Sequence, residues 1–135
     1  MKERGLNMER KKILIVDDEE QFTQMIKLNL EETGDYAVTV ENKGRQALAV
    51  ARGVKPDIIF LDVIMPDIDG PQLLKDFRDD PLFSQVPIVF LTALVTQAEV
   101  GDKGAVIAGN AFIAKPVTTQ QLVSCIRENL RGTKR

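Results

Sequence analysis

Five polar side chains stand directly after short apolar runs in this 135-residue chain: Asp17, Asp18, Asp62, Thr92 and Lys115. A carboxylate can act as the nucleophile in phosphoryl transfer and become an aspartyl phosphate. An ammonium group and a hydroxyl can neutralise and position the phosphoryl oxygens. The residue types therefore predict phosphoryl chemistry, with Asp62 as the nucleophile because it ends the apolar run before a turn containing proline and glycine.

A metal ion is the second element of this chemistry. Three carboxylates in one cleft repel one another and are costly to keep ionised together. A divalent cation removes that cost, and ligation by oxygen alone suits Mg²⁺, which shares its coordination shell with a phosphate. We expect Mn²⁺ to substitute for Mg²⁺.

Each of the five residues has a plain structural explanation when it is taken alone. Asp17 or Asp18 could cap a helix, Thr92 could be a loop hydroxyl and Lys115 a solvated lysine. The order in which they follow successive apolar runs favours the functional explanation.

Short runs rich in β-branched residues alternate with stretches of helical periodicity. The runs predict strands buried on both faces, as in a parallel sheet, over residues 13–16, 36–40, 58–62, 88–91 and 111–114. Because the carboxyl ends of parallel strands share one edge of the sheet, the five polar residues should meet there.

Helices are predicted between the strands, over residues 19–32, from Gln46 to near Gly53, and after Gly70. A fourth, short helix is expected within residues 95–109, weakened by two glycines. Thr118 and Gln121 resemble a capping box at the start of a fifth helix that runs to about residue 131. Alternating strands and helices predict an α/β fold, a three-layer α/β/α sandwich.

The composition excludes several classes. The chain has no histidine, so Ser-His catalysis and histidine metal sites are not expected. Its formal net charge is −2, so direct nucleic-acid binding is not expected either. Cys125 is the only cysteine, and no apolar run has the length of a membrane span or the pattern of a secretory signal. We expect a cytoplasmic protein without a membrane partner.

Four ordered motifs are similar to those of the receiver domain of two-component response regulators. They lie at residues 13–19, 57–66 together with 69–70, 91–93 and 112–116. The likeness covers residues 12–131, with a flexible amino-terminal tail at 1–11 and a carboxyl-terminal tail at 132–135. It implies a flavodoxin-like topology with the parallel strand order 2-1-3-4-5.

The resemblance also implies a role for each site residue. Asp62 would accept a phosphoryl group from a histidine kinase or a histidine phosphotransfer protein. Mg²⁺ would be bound by Asp18, Asp62 and the backbone carbonyl of Ile64, with Asp17 acting mainly through a metal-bound water.

Two further residues would contact the phosphoryl oxygens, namely Thr92 and Lys115. Phe112 matches the switch aromatic of the family, whose ring moves inward as the threonine shifts. Here it is phenylalanine and not tyrosine, so no hydroxyl can fix its position. The chain ends soon after the fifth helix, so we expect a stand-alone receiver that signals through a downstream effector protein. We expect it to be a monomer or weak dimer. It should catalyse only its own phosphorylation and dephosphorylation.

One departure predicts slow loss of the phosphoryl group. Ile64 and Leu94, two residues after Asp62 and Thr92, are apolar and flank the path of an attacking water. Neither side chain can orient that water by hydrogen bonding.

Three alternatives remain open. A haloacid dehalogenase-like phosphatase needs a second acid where Ile64 stands, and a flavodoxin-like cofactor binder would suffer repulsion between an FMN phosphate and Asp17 and Asp18. The third is a receiver that binds partners without being phosphorylated, which the intact acidic set makes less attractive.

Overall fold

A computed structural model of the chain describes residues 10–94, 105–107 and 110–131. The two predicted tails therefore fall almost entirely outside the described residues. The strands are β1 (Lys11–Val16), β2 (Tyr36–Glu41), β3 (Ile58–Leu61), β4 (Ile88–Thr92), β5 (Ala105–Ile107) and β6 (Asn110–Ala114). They form one sheet of order β2-β1-β3-β4-β6-β5.

Five of the six strands are parallel, and their order confirms the predicted 2-1-3-4-5 arrangement, with β6 as the fifth predicted strand. Ile58–Leu61, and the segments 13–16 of β1 and 88–91 of β4, are apolar at every position because both faces of the sheet are covered there. In β1, Ile13 and Ile15 face one side core, and Leu14 and Val16 face the other; all four are fully buried. The side-chain period of two thus divides the apolar residues between two cores.

The helices are α1 (Glu20–Glu31), α2 (Ala47–Val54), α3 (Gly70–Arg78) and α4 (Thr119–Arg131), with a 3₁₀ turn at Gly44–Gln46 before α2. Apolar residues of α1 and α4 pack in one core, and those of α2 and α3 pack in the other. The three-layer α/β/α sandwich is therefore confirmed. Within the described ranges, none of these helices has the length and apolar character needed to cross a bilayer.

The predicted capping box is present at the start of α4. The Gln121 backbone N–H donates to the Thr118 hydroxyl at 3.0 Å, and the Gln121 side-chain oxygen accepts from the Thr118 N–H at 2.9 Å. Two N–H groups that the first helical turn leaves unpaired are thereby satisfied.

The predicted fourth helix is wrong at residues 105–107, which form β5; the other residues of that prediction lie outside the described residues. β5 pairs antiparallel with β6, with Ala105 opposite Phe112 and Ile107 opposite Asn110. Val106 and Ile107 are β-branched and favour a strand over a helix. Pairing with the open edge of β6 satisfies backbone groups of both strands and adds a sixth strand that the sequence did not predict.

Candidate functional site

Backbone hydrogen bonds continue the sheet past the ends of its strands and bring the candidate residues together. The Asp17 N–H donates to the Glu41 carbonyl at 3.1 Å, and the Asp62 N–H donates to the Val16 carbonyl at 3.0 Å. On the other side, the Lys115 N–H donates to the Thr92 carbonyl at 2.9 Å. The predicted convergence at the carboxyl edge is therefore a result of parallel strand register.

The acidic residues form a compact cluster. Carboxylate oxygens of Asp17, Asp18 and Asp62 all lie within 4.8 Å of one another. Asp17 is fully buried, Asp62 is 8% exposed and Asp18 is open to solvent. The Asp17 Oδ1 accepts a hydrogen bond of 2.9 Å from the Glu19 N–H, which holds the loop before α1. The cluster thus has two enclosed carboxylates and one at the entrance.

Lys115 is the cation of this cluster. Its Nζ lies 2.7 Å from Asp17 Oδ2, 3.0 Å from Glu19 Oε1 and 3.7 Å from Asp62 Oδ2. The ammonium also lies 4.6 Å from the centre of the Phe22 ring, within the range of a cation–π contact. The lysine side chain is therefore held over the carboxylates from several sides.

The carboxyl groups resist ionisation. Burial raises the pKa of Asp17, although its contacts with Lys115 and the Glu19 N–H act in the opposite direction. Burial, followed by the charge of Asp17, raises the pKa of Asp62. Burial disfavours the Lys115 ammonium, but its pairing with Asp17 and Glu19 outweighs that effect, so the pKa of Lys115 is raised. Lys115 therefore stays charged at neutral pH. Further positive charge near the carboxylates would favour their ionised form.

The donor set fits a small divalent cation. Asp17 Oδ2 is buried, and its contact is the ion pair of 2.7 Å with the Lys115 ammonium. The cluster has three carboxylates, and the Lys115 ammonium beside it is shared with Glu19, so a dication would offset negative charge that Lys115 leaves uncompensated. Hard oxygen ligands of this kind suit Mg²⁺. Asp17, Asp18 and Asp62 are the residues that could hold it.

Thr92 is 2% exposed, and its hydroxyl has a defined orientation. Its Oγ1 accepts a hydrogen bond of 3.1 Å from the Leu94 N–H. A hydroxyl that accepts one bond still has its hydrogen to donate. Ala93 is exposed, as expected for a small residue that leaves the backbone accessible.

Phe112 stands apart from the acidic cluster, on β6. Its ring is partly buried, and its centre lies 5.1 Å from that of Phe90 on the neighbouring strand. Its backbone partner on β4 is the same Phe90, two residues before Thr92. A switch role for Phe112 stays a prediction, although its strand is directly paired with the one that ends at Thr92.

The loop between β3 and α3 lies against the site because glycine permits a close approach. A Cβ at Gly70 would lie 2.6 Å from the Asp62 carbonyl oxygen and 2.8 Å from Val63 Cα. The Gly70 N–H donates to the Val63 carbonyl at 2.7 Å. Ile64 lies in this loop with its side chain 62% exposed, and Leu94 is 60% exposed. Both residues are at the surface, and their position beside the path of an attacking water stays a prediction.

Three residues beside the site were not predicted: Glu19 and Phe22 as partners of Lys115, and Asn42, whose Nδ2 donates to the Asp17 carbonyl at 2.7 Å. A signal for Asn42 was available. It is a polar residue directly after β2, at the same sheet edge as the other candidate residues. Glu19 and Phe22 gave no such signal, because their contacts depend on how α1 sits beside β6.

Comparison with known proteins agrees with this geometry. The family model for the response regulator receiver domain matches residues 13–127. The chain is 37% identical over 126 residues to the alkaline phosphatase synthesis transcriptional regulatory protein PhoP of Bacillus subtilis, covering 92% of this chain and 50% of that protein. It is 36% identical over 131 residues to the uncharacterized transcriptional regulatory protein YkoG of the same organism, covering 94% of this chain and 55% of that protein.

Solved structures show the same likeness. A putative response regulator from Chloroflexus aurantiacus has a TM-score of 0.75 and 34% identity, over 90% of this chain and 98% of that one. The signal receiver domain of a histidine kinase from Syntrophus aciditrophicus has a TM-score of 0.75 and 33% identity, over 93% of each chain.

The chain spans about half the length of the curated relatives it matches, so the stand-alone organisation stays a prediction. The family assignment is more than a prediction, because the match over residues 13–127 includes the acidic cluster, Thr92 and Lys115. Together with the sheet order and the residues at the carboxyl edge of the sheet, this match shows that the chain belongs to the response regulator receiver domains of two-component systems.

Proposed function

We propose that this receiver accepts a phosphoryl group on Asp62 from the phosphohistidine of a histidine kinase or a histidine phosphotransfer protein. The observation that carries the proposal is the position of Asp62. Its carboxylate lies within 4.8 Å of Asp17 and Asp18 oxygens and 3.7 Å from the Lys115 ammonium. The proposal is supported by this proximity of a carboxylate, further oxygen donors and an ammonium at the carboxyl edge of the sheet.

The transfer is balanced without any further reactant. A carboxylate oxygen of Asp62 attacks the phosphorus, the phosphorus–nitrogen bond of the donor breaks, and the imidazole leaves with its electron pair. Mg²⁺, when bound by Asp17, Asp18 and Asp62, supplies charge neutralisation at the phosphoryl oxygens. Lys115 supplies a second positive charge, and the Thr92 hydroxyl can donate to a phosphoryl oxygen.

An intact-mass measurement tests this proposal. The protein is incubated with Mg²⁺ and acetyl phosphate, beside Asp62→Ala and the control Asp79→Asn. The Asp79 carboxylate is exposed directly after α3 and pairs with Lys75. We expect one phosphoryl group on the unmodified protein and on the control, and none on Asp62→Ala. No gain in the unmodified protein would favour a receiver that binds partners without phosphorylation, and an equal gain in Asp62→Ala would move the acceptor elsewhere.

The phosphorylated state should be long-lived. Ile64 and Leu94 are both exposed at the site and apolar, so neither side chain can hold an attacking water. After removal of acetyl phosphate, we expect the phosphoryl mass to decay over minutes to hours. Ile64→Gln, which restores a hydrogen-bonding group, should shorten that lifetime. Decay of the unmodified protein within seconds would contradict this expectation.

Signalling would follow from the added charge. A phosphoryl group adds about −1.5 to −2 charges at pH 7, a large change beside an already acidic cluster. We propose that this charge biases two conformations of the receiver, with Thr92 and Phe112 moving together, and that a downstream effector protein binds one of them. The only chemistry we propose for the domain is its own phosphorylation and dephosphorylation, with Mg²⁺ or Mn²⁺ as the metal ion. We propose that these reactions take place in the cytoplasm.

A further inference from the structure

Asn42 touches the acidic site without belonging to it. It follows β2, and its Nδ2 donates two hydrogen bonds, one to the Asp17 carbonyl at 2.7 Å and one to the Thr23 hydroxyl at 3.0 Å. The bond to Asp17 joins residues 25 positions apart in the chain. Asn42 therefore ties the end of β2 to the loop that carries Asp17 and Asp18.

The orientation of the Asn42 amide follows from its partners. The Asp17 carbonyl can only accept a hydrogen bond, so the Asn42 atom that faces it must be the nitrogen. The Thr23 hydroxyl has its hydrogen directed to the α1 backbone, 3.0 Å from the Glu20 carbonyl, and so accepts from the same nitrogen. Thr23 is fully buried, which makes this bond part of a fixed network.

The residues after Asn42 hold the other acidic loop. The Gly44 and Arg45 N–H groups donate to the two carboxylate oxygens of Asp67, at 3.3 Å and 2.9 Å. Arg45 Nε also donates to the Asp67 carbonyl at 2.9 Å. Asp67 lies in the β3–α3 loop that begins at Asp62. One short connection, residues 42–45, thus touches both loops that carry metal-binding carboxylates.

We propose that Asn42 is a positioning residue for the metal site. The pairing of β1 with β3 brings Asp17 near Asp62. Beyond the end of that pairing, Asn42 holds the Asp17 carbonyl from the connection that also holds Asp67, and so fixes the separation between the Asp17–Asp18 loop and the β3–α3 loop. Mg²⁺ requires near-ideal octahedral geometry, so its affinity is sensitive to that separation. The inference rests on the proposed Mg²⁺ site and concerns which residue outside that site controls its affinity.

Titration calorimetry with Mg²⁺ alone tests the proposal on the unphosphorylated protein. Asn42→Ala removes both hydrogen bonds, and Asn42→Leu also fills the space in which a water could replace them. The control is Asn129→Ala, which likewise removes a bond of 2.8 Å from an asparagine amide to a carbonyl, that of Cys125, without changing the charge. Asn129 lies on α4, away from the sheet edge that carries the acids.

We expect both Asn42 variants to bind Mg²⁺ about tenfold more weakly, the size typical of lost outer-shell support, and Asn129→Ala to bind as the unmodified protein does. Thermal unfolding of each variant, followed by circular dichroism, confirms that the titrated protein is folded. Unchanged Mg²⁺ affinity in both Asn42 variants overturns the inference and leaves the proposed function intact. Equal weakening in Asn129→Ala also overturns it, because the effect would then be a general loosening. An unmodified protein that binds no Mg²⁺ overturns the inference together with the proposed metal site.

Discussion

At the scale of single residues, the site contains a carboxylate in a buried environment that disfavours its ionised form. Asp62 is nearly buried, and burial together with the charge of Asp17 raises its pKa above the usual value of 3.8. The folded state therefore binds that proton more tightly than the unfolded chain does. The stabilising effect of the protonated group is complete below the unfolded pKa and is lost as pH rises through the folded pKa.

Asp62→Asn should stabilise the metal-free protein at pH 7, because it removes an ionised group that burial and Asp17 disfavour. We expect the free energy of unfolding to rise by about 1 kcal/mol, measured by urea unfolding in the presence of a chelator. The gain should shrink as the pH is lowered towards the unfolded pKa. Asp79→Asn, at an exposed position, should change stability by less than about 0.5 kcal/mol. A loss of stability in Asp62→Asn at pH 7 would contradict the prediction.

At the scale of elements, α3 begins where only a glycine fits. A Cβ at position 70 would meet backbone atoms of Asp62 and Val63 within 3.0 Å, and backbone cannot move aside as the end of a flexible side chain can. The start of α3 and the carboxyl end of β3 are thus packed directly on each other. The Asp69 side chain caps the helix by accepting from the Gln72 N–H at 2.8 Å.

Gly70→Ala should therefore lower the free energy of unfolding by about 2 kcal/mol, the usual scale of forced overpacking. The matched control is Gly53→Ala within α2, where a new Cβ meets nothing within 4 Å. That variant should raise stability by about 0.5 to 1 kcal/mol, since alanine favours a helix more than glycine does. Urea unfolding of both variants measures the contrast. Equal effects of the two substitutions would show that close packing at Gly70 does not matter.

At the scale of the whole molecule, two cores on opposite faces of the sheet hold the layers together, and Cys125 reports on one of them. It lies on α4 with 5% of its surface exposed, and burial raises the pKa of its thiol to about 11. A native thiol of this kind has little thiolate at pH 8, and a reagent cannot reach it until α4 separates from the sheet.

Labelling of Cys125 by a disulfide reagent at pH 8 should be at least about a hundredfold slower in the native protein than in urea. Since Cys125 is the only cysteine, a single rate reports this core without further engineering. The rate should follow global stability, so that Gly70→Ala labels faster and Gly53→Ala more slowly than the unmodified protein. Rapid labelling of the folded protein would mean that α4 is not packed as described.

The sequence by itself determined the five parallel strands and four of the helices, but not the strand at residues 105–107. Runs such as residues 13–16 are short, apolar at every position and rich in β-branched residues, which favours a strand covered on both faces. The capping box of Thr118 and Gln121 is likewise encoded within four residues. The parallel arrangement then placed Asp17, Asp62, Thr92 and Lys115 on one edge, because parallel strands share their carboxyl ends. These inferences depend on local sequence pattern and on topology, and both can be predicted from residues that are close together in the chain.

Only the tertiary structure decided which side chains meet across that edge. Lys115 pairs with Glu19, 96 residues away, and Asn42 holds Asp17 across 25 residues; no local pattern encodes such distances. The strand at 105–107 likewise depends on pairing with β6, which outweighs the helix suggested by its place in the chain. Side-chain partners are selected by the spacing of packed elements, and that spacing exists only once both cores have formed.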